Sequence, residues 1–473
     1  MTAGVSTQPV ASWLIKGARV LGGEPADIVI QDWRIAEVAE PGQALSAGSQ
    51  ASVLDADGLI VLPGLVDLHT HLREPGREDA ETVASGTAAA ALGGYTAVHA
   101  MANTEPVADT ASVVEQVWRL GRQAGWCDVQ PVGAVTSGLG GTRLAELGAM
   151  ADSAARVRVF SDDGHCVADA TLMRRALEYV KAFDGVIAQH AQEPRLTQGA
   201  QLNEGEMSAR LGLTGWPAVA EEAIIARDCL LAAHVGSALH VCHVSTAGSV
   251  EIIRQAKSRG WRVTAEVTPH HLLLTDELAA GYDPVYKVNP PLRTAADVAA
   301  LRAGLADGTI DCVATDHAPH PAESKETEWS VASFGMTGLE TAIRVVHEAM
   351  VSTGLLDWAQ VADRMSVRPA TIGRLTGGSS SGPVGPAGPV GPAGPAGSAG
   401  SGRELSQRHG CPIAAGSPAN LVLYDPAPVS VVDPGLHASR SRNTPFAGMK
   451  LPGAVIATFL RGCPTVLDGK LCR

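Results

Sequence analysis

Eight short apolar runs, at residues 61–69, 94–101, 128–135, 156–161, 185–190, 238–244, 262–268 and 310–316, give the middle of this chain a repeating texture. Between them lie stretches with helical patterning, for example 108–123, 168–182, 217–234 and 247–258. Eight strand-then-helix units predict a (β/α)8 barrel of the TIM type over residues 63–376, with its chemistry at the C-terminal ends of the strands. Only 4% of the residues are aromatic while 45% are hydrophobic, so the core of such a barrel is built from small aliphatic side chains.

The flanks have a different texture. Trp13-Leu14-Ile15, Ile28-Val29-Ile30, Arg34-Ile35-Ala36 and Leu59-Ile60-Val61 are short runs between turn signals such as Gly22-Gly23, the pattern of a small β-unit. After Cys411 the same texture returns in Asn420-Leu421-Val422-Leu423-Tyr424 and Val455-Ile456-Ala457-Thr458-Phe459-Leu460. The two sets are expected to pair, making a small β-sandwich-like domain from residues 1–62 and 409–473. A Gly/Pro-rich insert, 377–408, separates barrel from C-terminal strands. In it Gly382, Gly385, Gly388, Gly391, Gly394, Gly397 and Gly400 keep a strict three-residue period, the collagen-type repeat. The tract is too short to count on as a triple helix, and an extended polyproline-like or flexible loop is the simpler expectation.

The net charge is −13 and the 36 Lys and Arg residues are scattered, which argues against nucleic acid or an anionic membrane as partner. An anionic ligand would have to be captured by local cations. Cysteines 127, 166, 229, 242, 312, 411, 463 and 472 contain no C-x-x-C pair and read as reduced thiols in core segments. Residues 1–12 lack a basic start followed by an apolar run, and no apolar stretch approaches about 18 residues, so cytoplasm is the expected location.

The first barrel strand ends in Asp67-Leu68-His69-Thr70-His71-Leu72-Arg73-Glu74-Pro75. Residues two apart on an extended chain share a face, so Asp67, His69 and His71 point the same way and two imidazoles can meet one ion. Catalytic zinc usually takes at least three protein ligands, so other strand ends must supply the rest. They offer Ser161-Asp162-Asp163-Gly164, Gln189-His190, Cys242-His243 and Thr315-Asp316-His317-Ala318-Pro319-His320. Singly each is an ordinary polar stretch; together they form a nitrogen and oxygen set that suits zinc.

This constellation resembles the amidohydrolase superfamily, and within it the cyclic amidohydrolases of the class I bacterial dihydroorotase type. The resemblance runs from about Trp13 to Lys470 outside the Gly/Pro insert. It is carried by residues 67–75, by Ala314-Thr315-Asp316-His317-Ala318-Pro319-His320 with Lys325, and by Ala102-Asn103-Thr104, Asp162-Asp163-Gly164 and Val288-Asn289-Pro290-Pro291-Leu292-Arg293. It implies that His69, His71 and Asp316 hold one zinc and that His190 and His243 hold a second, with Asp163 between them; one ion or two per chain stays open. Many relatives bridge with a carbamylated lysine on the fourth strand, but residues 156–160 contain no lysine, so a carboxylate must serve, Asp163 rather than Asp162.

The implied reaction is reversible closure of N-carbamoyl-L-aspartate to dihydroorotate in pyrimidine synthesis, with Asp316 as general base and then general acid. Arg73 would bind a substrate carboxylate through its planar fork, with Asn103, Asn289, His320, Phe334 and Gly335 as further contacts. A homo-oligomer is expected, and aspartate transcarbamoylase is a candidate partner. Two other readings compete. One is a hydantoinase, dihydropyrimidinase or allantoinase, which would share the barrel but needs no arginine for a carboxylate. The other is an inactive scaffold for the transcarbamoylase, which would be expected to have lost ligands.

Blander roles stand beside the chemical ones. Arg73 could pair with Glu74 or Glu78, and Asn103 could cap a turn before Pro106. His99 reads as core, His165 and His317 as facing away from the ligands, and His270 and His271 as packed or supporting residues. Ser245 and Thr246 read as a helix N-cap, not a nucleophile.

Overall fold

The computed structural model describes residues 12–44, 51–376 and 407–472. The collagen-type repeat at 382–400 lies outside those residues. Eight parallel strands occupy the expected runs: Leu65–Thr70, Tyr95–Ala100, Asp128–Pro131, Val159–Phe160, Val186–Gln189, Ala238–Val241, Val263–Val267 and Cys312–Val313. The first three pair in order, as do the last five. Parallel bridges Gly133 to Phe160 and Thr70 to His317 join the two sets and close the ring. All six residues of Leu65–Thr70 are buried, as expected of a parallel strand covered on both faces.

Helices Ala111–Ala124, Ala170–Val180, Val219–Val235 and Ala247–Ser258 cover the outside within a few residues of their expected spans. Local chemistry starts them where they start. Asp169 accepts from Leu172 N, and Thr246 accepts from Ser249 N, each as an N-cap. Met173, Ala176, Leu177 and Val180, at helical spacing, form the buried face of the first of these two helices.

The first strand departs from its expected extent of 61–69. Ile60–Pro63 belongs to the small domain and Leu65–Thr70 to the barrel, with Gly64 as the joint. A Cβ on Gly64 would lie 2.3 Å from Thr96 Cγ2, so the chain can cross between the two sheets there only without a side chain.

The small domain is a single hydrogen-bonded sheet rather than two separate ones. Its path runs from Cys463–Leu467 through Lys450–Leu460, Leu421–Val431, Ile60–Pro63, Trp13–Val20 and Pro25–Gln31 to Arg34–Ala39. Leu421–Tyr424 pairs antiparallel with Ile60–Pro63, which unites the two chain ends as expected. The sheet wraps a core of Ile15, Ile28, Ile30, Ile35, Leu423 and Phe459. All eight cysteines are free, but Cys463, on an outer strand, and Cys472, just past the last strand, are exposed, contrary to the expectation that all lie in core segments. No helix among the described residues is long and apolar enough to cross a membrane.

Candidate metal and substrate site

The barrel brings the side chains named from the strand ends to one buried point. Asp163 stands at its centre. Its Oδ1 lies 3.2 Å from His69 Nε2, 3.3 Å from His190 Nδ1 and 3.3 Å from His243 Nε2, while Oδ2 lies 3.3 Å from His71 Nε2. Asp316 Oδ1 lies 3.2 Å from His71 Nε2 and 3.5 Å from His69 Nε2. Burial disfavours charge on both carboxyls, yet the facing imidazoles outweigh it: Asp163 is held well below the usual carboxylate range and Asp316 down to about 2.

Asp162 is turned elsewhere. Its carboxylate accepts from Val135 N and Thr136 N at 2.8 and 2.9 Å and from the Thr136 hydroxyl, tying the third strand's loop to the fourth. Asp67 shares a face with the histidines but sits beneath them. It accepts from His69 N, from Thr70 Oγ1 at 2.6 Å and from Thr315 N at 2.9 Å, stitching the first strand to the eighth. Arg73, His243 and Asp316 each leave their strands with positive φ, at 60°, 29° and 45°. Such backbone costs on the order of 1–3 kcal/mol per residue and persists where surrounding structure fixes it.

The donor set fits a divalent metal. His69 Nε2 is buried and makes no hydrogen bond, although two carboxylate oxygens stand beside it. The ligand atoms of His69, His71 and Asp163 lie within 4.8 Å of one another, as do those of Asp163, His190 and His243. Ligands about 2 Å from a tetrahedral ion stand roughly 3.3 Å apart, close to the separations found here. The outer ring nitrogens are engaged so that the inner ones stay directed at the cluster. His69 Nδ1 donates to Glu266 Oε1 at 2.7 Å, His71 Nδ1 to Asn103 Oδ1 at 2.8 Å and His190 Nε2 to Gln192 Oε1 at 2.8 Å.

Beside the cluster lies the candidate substrate wall. Arg73 is buried, and its Nε donates to Pro319 O at 3.1 Å. Among the described residues its terminal amino groups have no protein acceptor, and the ion pair with Glu74 or Glu78 is not formed. Burial, with Arg77 nearby, lowers its pKa to about 10, so the guanidinium stays charged at neutral pH. Asn103 reaches the cluster from the end of the second strand. Its carbonyl end is committed to His71, and its amide nitrogen faces Asp163 O at 3.5 Å.

Asn289 donates to Gln192 Oε1 at 3.1 Å and leaves its own buried Oδ1 without a partner. His320 Nε2 donates to Phe334 O at 2.7 Å, while its Nδ1 is buried and unbonded. Burial, followed by Arg73 and Lys325, lowers the His320 pKa to about 2 and keeps the ring neutral. Gly335 adopts φ 138°, and a Cβ there would lie 2.8 Å from His320 Nε2.

The remaining histidines stay outside the cluster. His99 packs between Asp67 O and Gly373 O, and His165 is exposed. His317 faces Glu81 and accepts from Gly338 N. His271 contacts Thr268 and Pro291 O; His270 is buried, and burial lowers its pKa to about 4.

Five residues that sequence reasoning passed over support the site: Glu266, His240, Gln192, Lys287 and Asn443. Glu266 is a carboxylate inside the apolar run Val263–Val267. Lys287 Nζ donates to Trp329 O at 2.6 Å and lies 4.5 Å from the centre of the Phe334 ring. Asn443 comes from the small domain and had no local signal at all. It donates to Ala318 O and Gly335 O at 3.0 and 3.2 Å and accepts from His320 N at 3.2 Å.

Comparison with known proteins bears on this arrangement. A family described as "Dihydro-orotase-like" matches residues 58–249. The chain is 66% identical to a dihydroorotase of Streptomyces coelicolor over 458 residues, covering 97% of this chain and 99% of the relative. It is 52% identical to a dihydroorotase of Mycobacterium tuberculosis over 461 residues, again 97% and 99% of the two chains. Among solved structures it is similar to an L-hydantoinase (dihydropyrimidinase) from Arthrobacter aurescens, with TM-score 0.81, 25% identity and 98% of both chains covered. A dihydropyrimidinase from Brevibacillus agri shares the fold with TM-score 0.76 at 21% identity, covering 98% of this chain and 96% of that one.

Proposed function

Because the chain belongs to the dihydroorotase family, we propose that His69, His71, Asp163, His190, His243 and Asp316 hold zinc and that Arg73 selects a carboxylate-bearing ring beside it. The enzyme is a cyclic amidohydrolase that interconverts N-carbamoyl-L-aspartate and dihydroorotate. The observation that carries the assignment of roles is the meeting of four imidazoles on Asp163 and Asp316 with a charged, half-bonded Arg73 nearby.

When bound, zinc supplies Lewis acidity, easing deprotonation of a water and polarising a carbonyl oxygen. The chain's residues do the rest. In the hydrolytic direction Asp316, ionised at neutral pH, takes a proton from the attacking water. As the ring C–N bond breaks, the same carboxyl returns that proton to the departing nitrogen. In the biosynthetic direction the reacting carboxylate takes up one proton from solvent, and Asp316 removes a second from the ureido nitrogen and gives it to the same oxygen, which leaves as water. Arg73 grips the ring carboxylate as a planar two-pronged donor. The free Oδ1 of Asn289 and Nδ1 of neutral His320 are acceptors for the amide N–H groups that a cyclic ureide presents.

All six candidate ligands come from one chain. The test is a parallel assay of the zinc-loaded protein on dihydroorotate, carbamoyl-aspartate, hydantoin and dihydrouracil. Interconversion of the first two is expected. Turnover confined to the uncharged rings would overturn the role given to Arg73, and zinc content well below one ion per chain in active enzyme would overturn the metal assignment.

A further inference from the structure

Beneath the ligand cluster runs a buried line of hydrogen bonds that the mechanism above does not use. Thr264 Oγ1 lies 2.9 Å from His240 Nδ1, and His240 Nε2 lies 3.0 Å from Glu266 Oε2. Glu266 Oε1 lies 2.7 Å from His69 Nδ1 and accepts the backbone N–H of His243 at 3.3 Å. His69, His240, His243 and Glu266 are all buried.

The chemistry of the groups fixes the direction of the line. An ionised carboxylate can only accept, so His240 Nε2 and His69 Nδ1 both carry protons toward Glu266. His240 Nδ1 is then an acceptor and the Thr264 hydroxyl its donor. At the other end a neutral His69 ring, the form that binds metal, presents its Nε2 lone pair on the side of Asp163 and Asp316. Glu266 also holds the turn at His243, whose φ of 29° the backbone alone disfavours.

We propose that Glu266 and His240 are positioning residues for the metal centre. Glu266 fixes His69 in the tautomer whose Nε2 binds metal and steadies the His243 turn, while His240 keeps the Glu266 carboxylate directed at both. The inference rests on reading His69 and His243 as metal ligands. Outer hydrogen-bond partners of this kind contribute about 10- to 100-fold to metal affinity.

Glu266→Gln retains the shape but offers one oxygen where the carboxylate meets three N–H donors. Its NH2 group must face either His69 or His240, and facing His69 drives that ring's proton onto Nε2. We therefore expect Glu266→Gln to raise the zinc dissociation constant about 10- to 100-fold, measured by competition with a chromophoric chelator, and to change the visible spectrum of the cobalt-substituted protein. His240→Leu should weaken zinc about tenfold, whereas His240→Gln, whose amide nitrogen reaches the place of Nε2, should restore most of that affinity. The His240 pair carries the test if Glu266→Gln does not fold.

His71→Ala is the control that separates the two claims. If His71→Ala loses zinc while Glu266→Gln and His240→Leu keep wild-type affinity and cobalt spectrum, the inference fails and the metal centre stands. Equal losses in His240→Leu and His240→Gln overturn the donor role of His240. If His71→Ala also binds zinc as the wild type does, the metal-centre reading fails and takes the inference with it.

Discussion

Arg73 keeps its charge in a place where charge is disfavoured. Burial lowers its pKa, yet at about 10 it remains protonated at neutral pH, with only Nε bonded to protein. A ligand carboxylate would give the two terminal amino groups their partner, and a charge-assisted pair of that kind contributes about 1.5–3 kcal/mol. Arg73→Met should therefore lower kcat/KM for dihydroorotate by about 10- to 100-fold and for hydantoin much less; equal losses on both would remove its role in selectivity. Asp316→Asn should lower kcat by about 100-fold or more, and zinc measured in the same preparation separates lost proton transfer from lost metal. Both residues were legible in the sequence because strand ends are marked by the apolar run that precedes them. Glu266 and His240 were not. They lie within strands buried on both faces, where no alternation of polar and apolar residues tells which side chains enter the barrel.

Between the last two long strands of the small domain, residues 438–443 cross to the barrel and brace the loop that carries His320 and Gly335. Ser439 Oγ and Arg440 N bond Glu81, Ala438 N and Ser439 N bond Glu340 at 3.2 Å each, and Asn443 spans Ala318, His320 and Gly335. Lys325 closes the same loop from the other side, donating to Lys287 O, Ser333 O and Gly335 O at 3.1, 2.9 and 3.0 Å. Asn443→Ala leaves Ala318 O and His320 N without a partner, each costing about 1–3 kcal/mol, while Gly335 O keeps Lys325. It should raise KM for dihydroorotate by about tenfold without changing zinc content; an unchanged KM would show that the brace does not set the loop. Glu340 makes this crossing pH-sensitive. Burial, with Glu81 adding to it, raises its pKa from 4.5 to about 7 against the pull of the two backbone N–H groups. Between those values the folded state holds a proton that the unfolded chain releases, so this contribution to stability is full below pH 4.5 and is lost as pH rises to about 7. Relative to Glu340→Gln, the wild type should lose on the order of 3 kcal/mol across that window and nothing further above it. Urea midpoints of both proteins at pH 5, 6, 7 and 8 measure it, and parallel curves would refute it. Periodic elements were readable because their pattern repeats; a crossing segment has no period, and its contacts are separated from it by about a hundred residues or more. The break at Gly64 was hidden for a related reason, since strands of two different sheets there form one unbroken apolar run.

At the scale of the molecule, the chain closes on itself twice, once through the barrel and once where Leu421–Tyr424 pairs with Ile60–Pro63. The second closure was legible because the apolar runs at the two ends share a texture that neither could bury alone. It also fixes where the chain must return after the Gly/Pro-rich tract. His409 N donates to Leu375 O at 3.1 Å, so the residues flanking that tract meet across a single backbone hydrogen bond. His409 is then anchored by Nε2 on Asp128 Oδ2 at 2.9 Å and by Nδ1 on Thr96 Oγ1 at 3.1 Å, and Asn420 Nδ2 bonds Arg408 O at 2.8 Å. The tract therefore spans almost no distance, and its length is not set by the fold. Loop-closure entropy varies only logarithmically with length, so removing residues 382–400 should change stability by less than about 1 kcal/mol. None of the candidate ligands or substrate contacts is among those residues. The deletion variant should thus keep wild-type kcat, KM and zinc content, and its mass in solution should match that of the full chain after allowing for the missing residues. A fall in kcat would mean that the tract reaches the site. A changed oligomeric mass would mean that its glycine period serves assembly between chains.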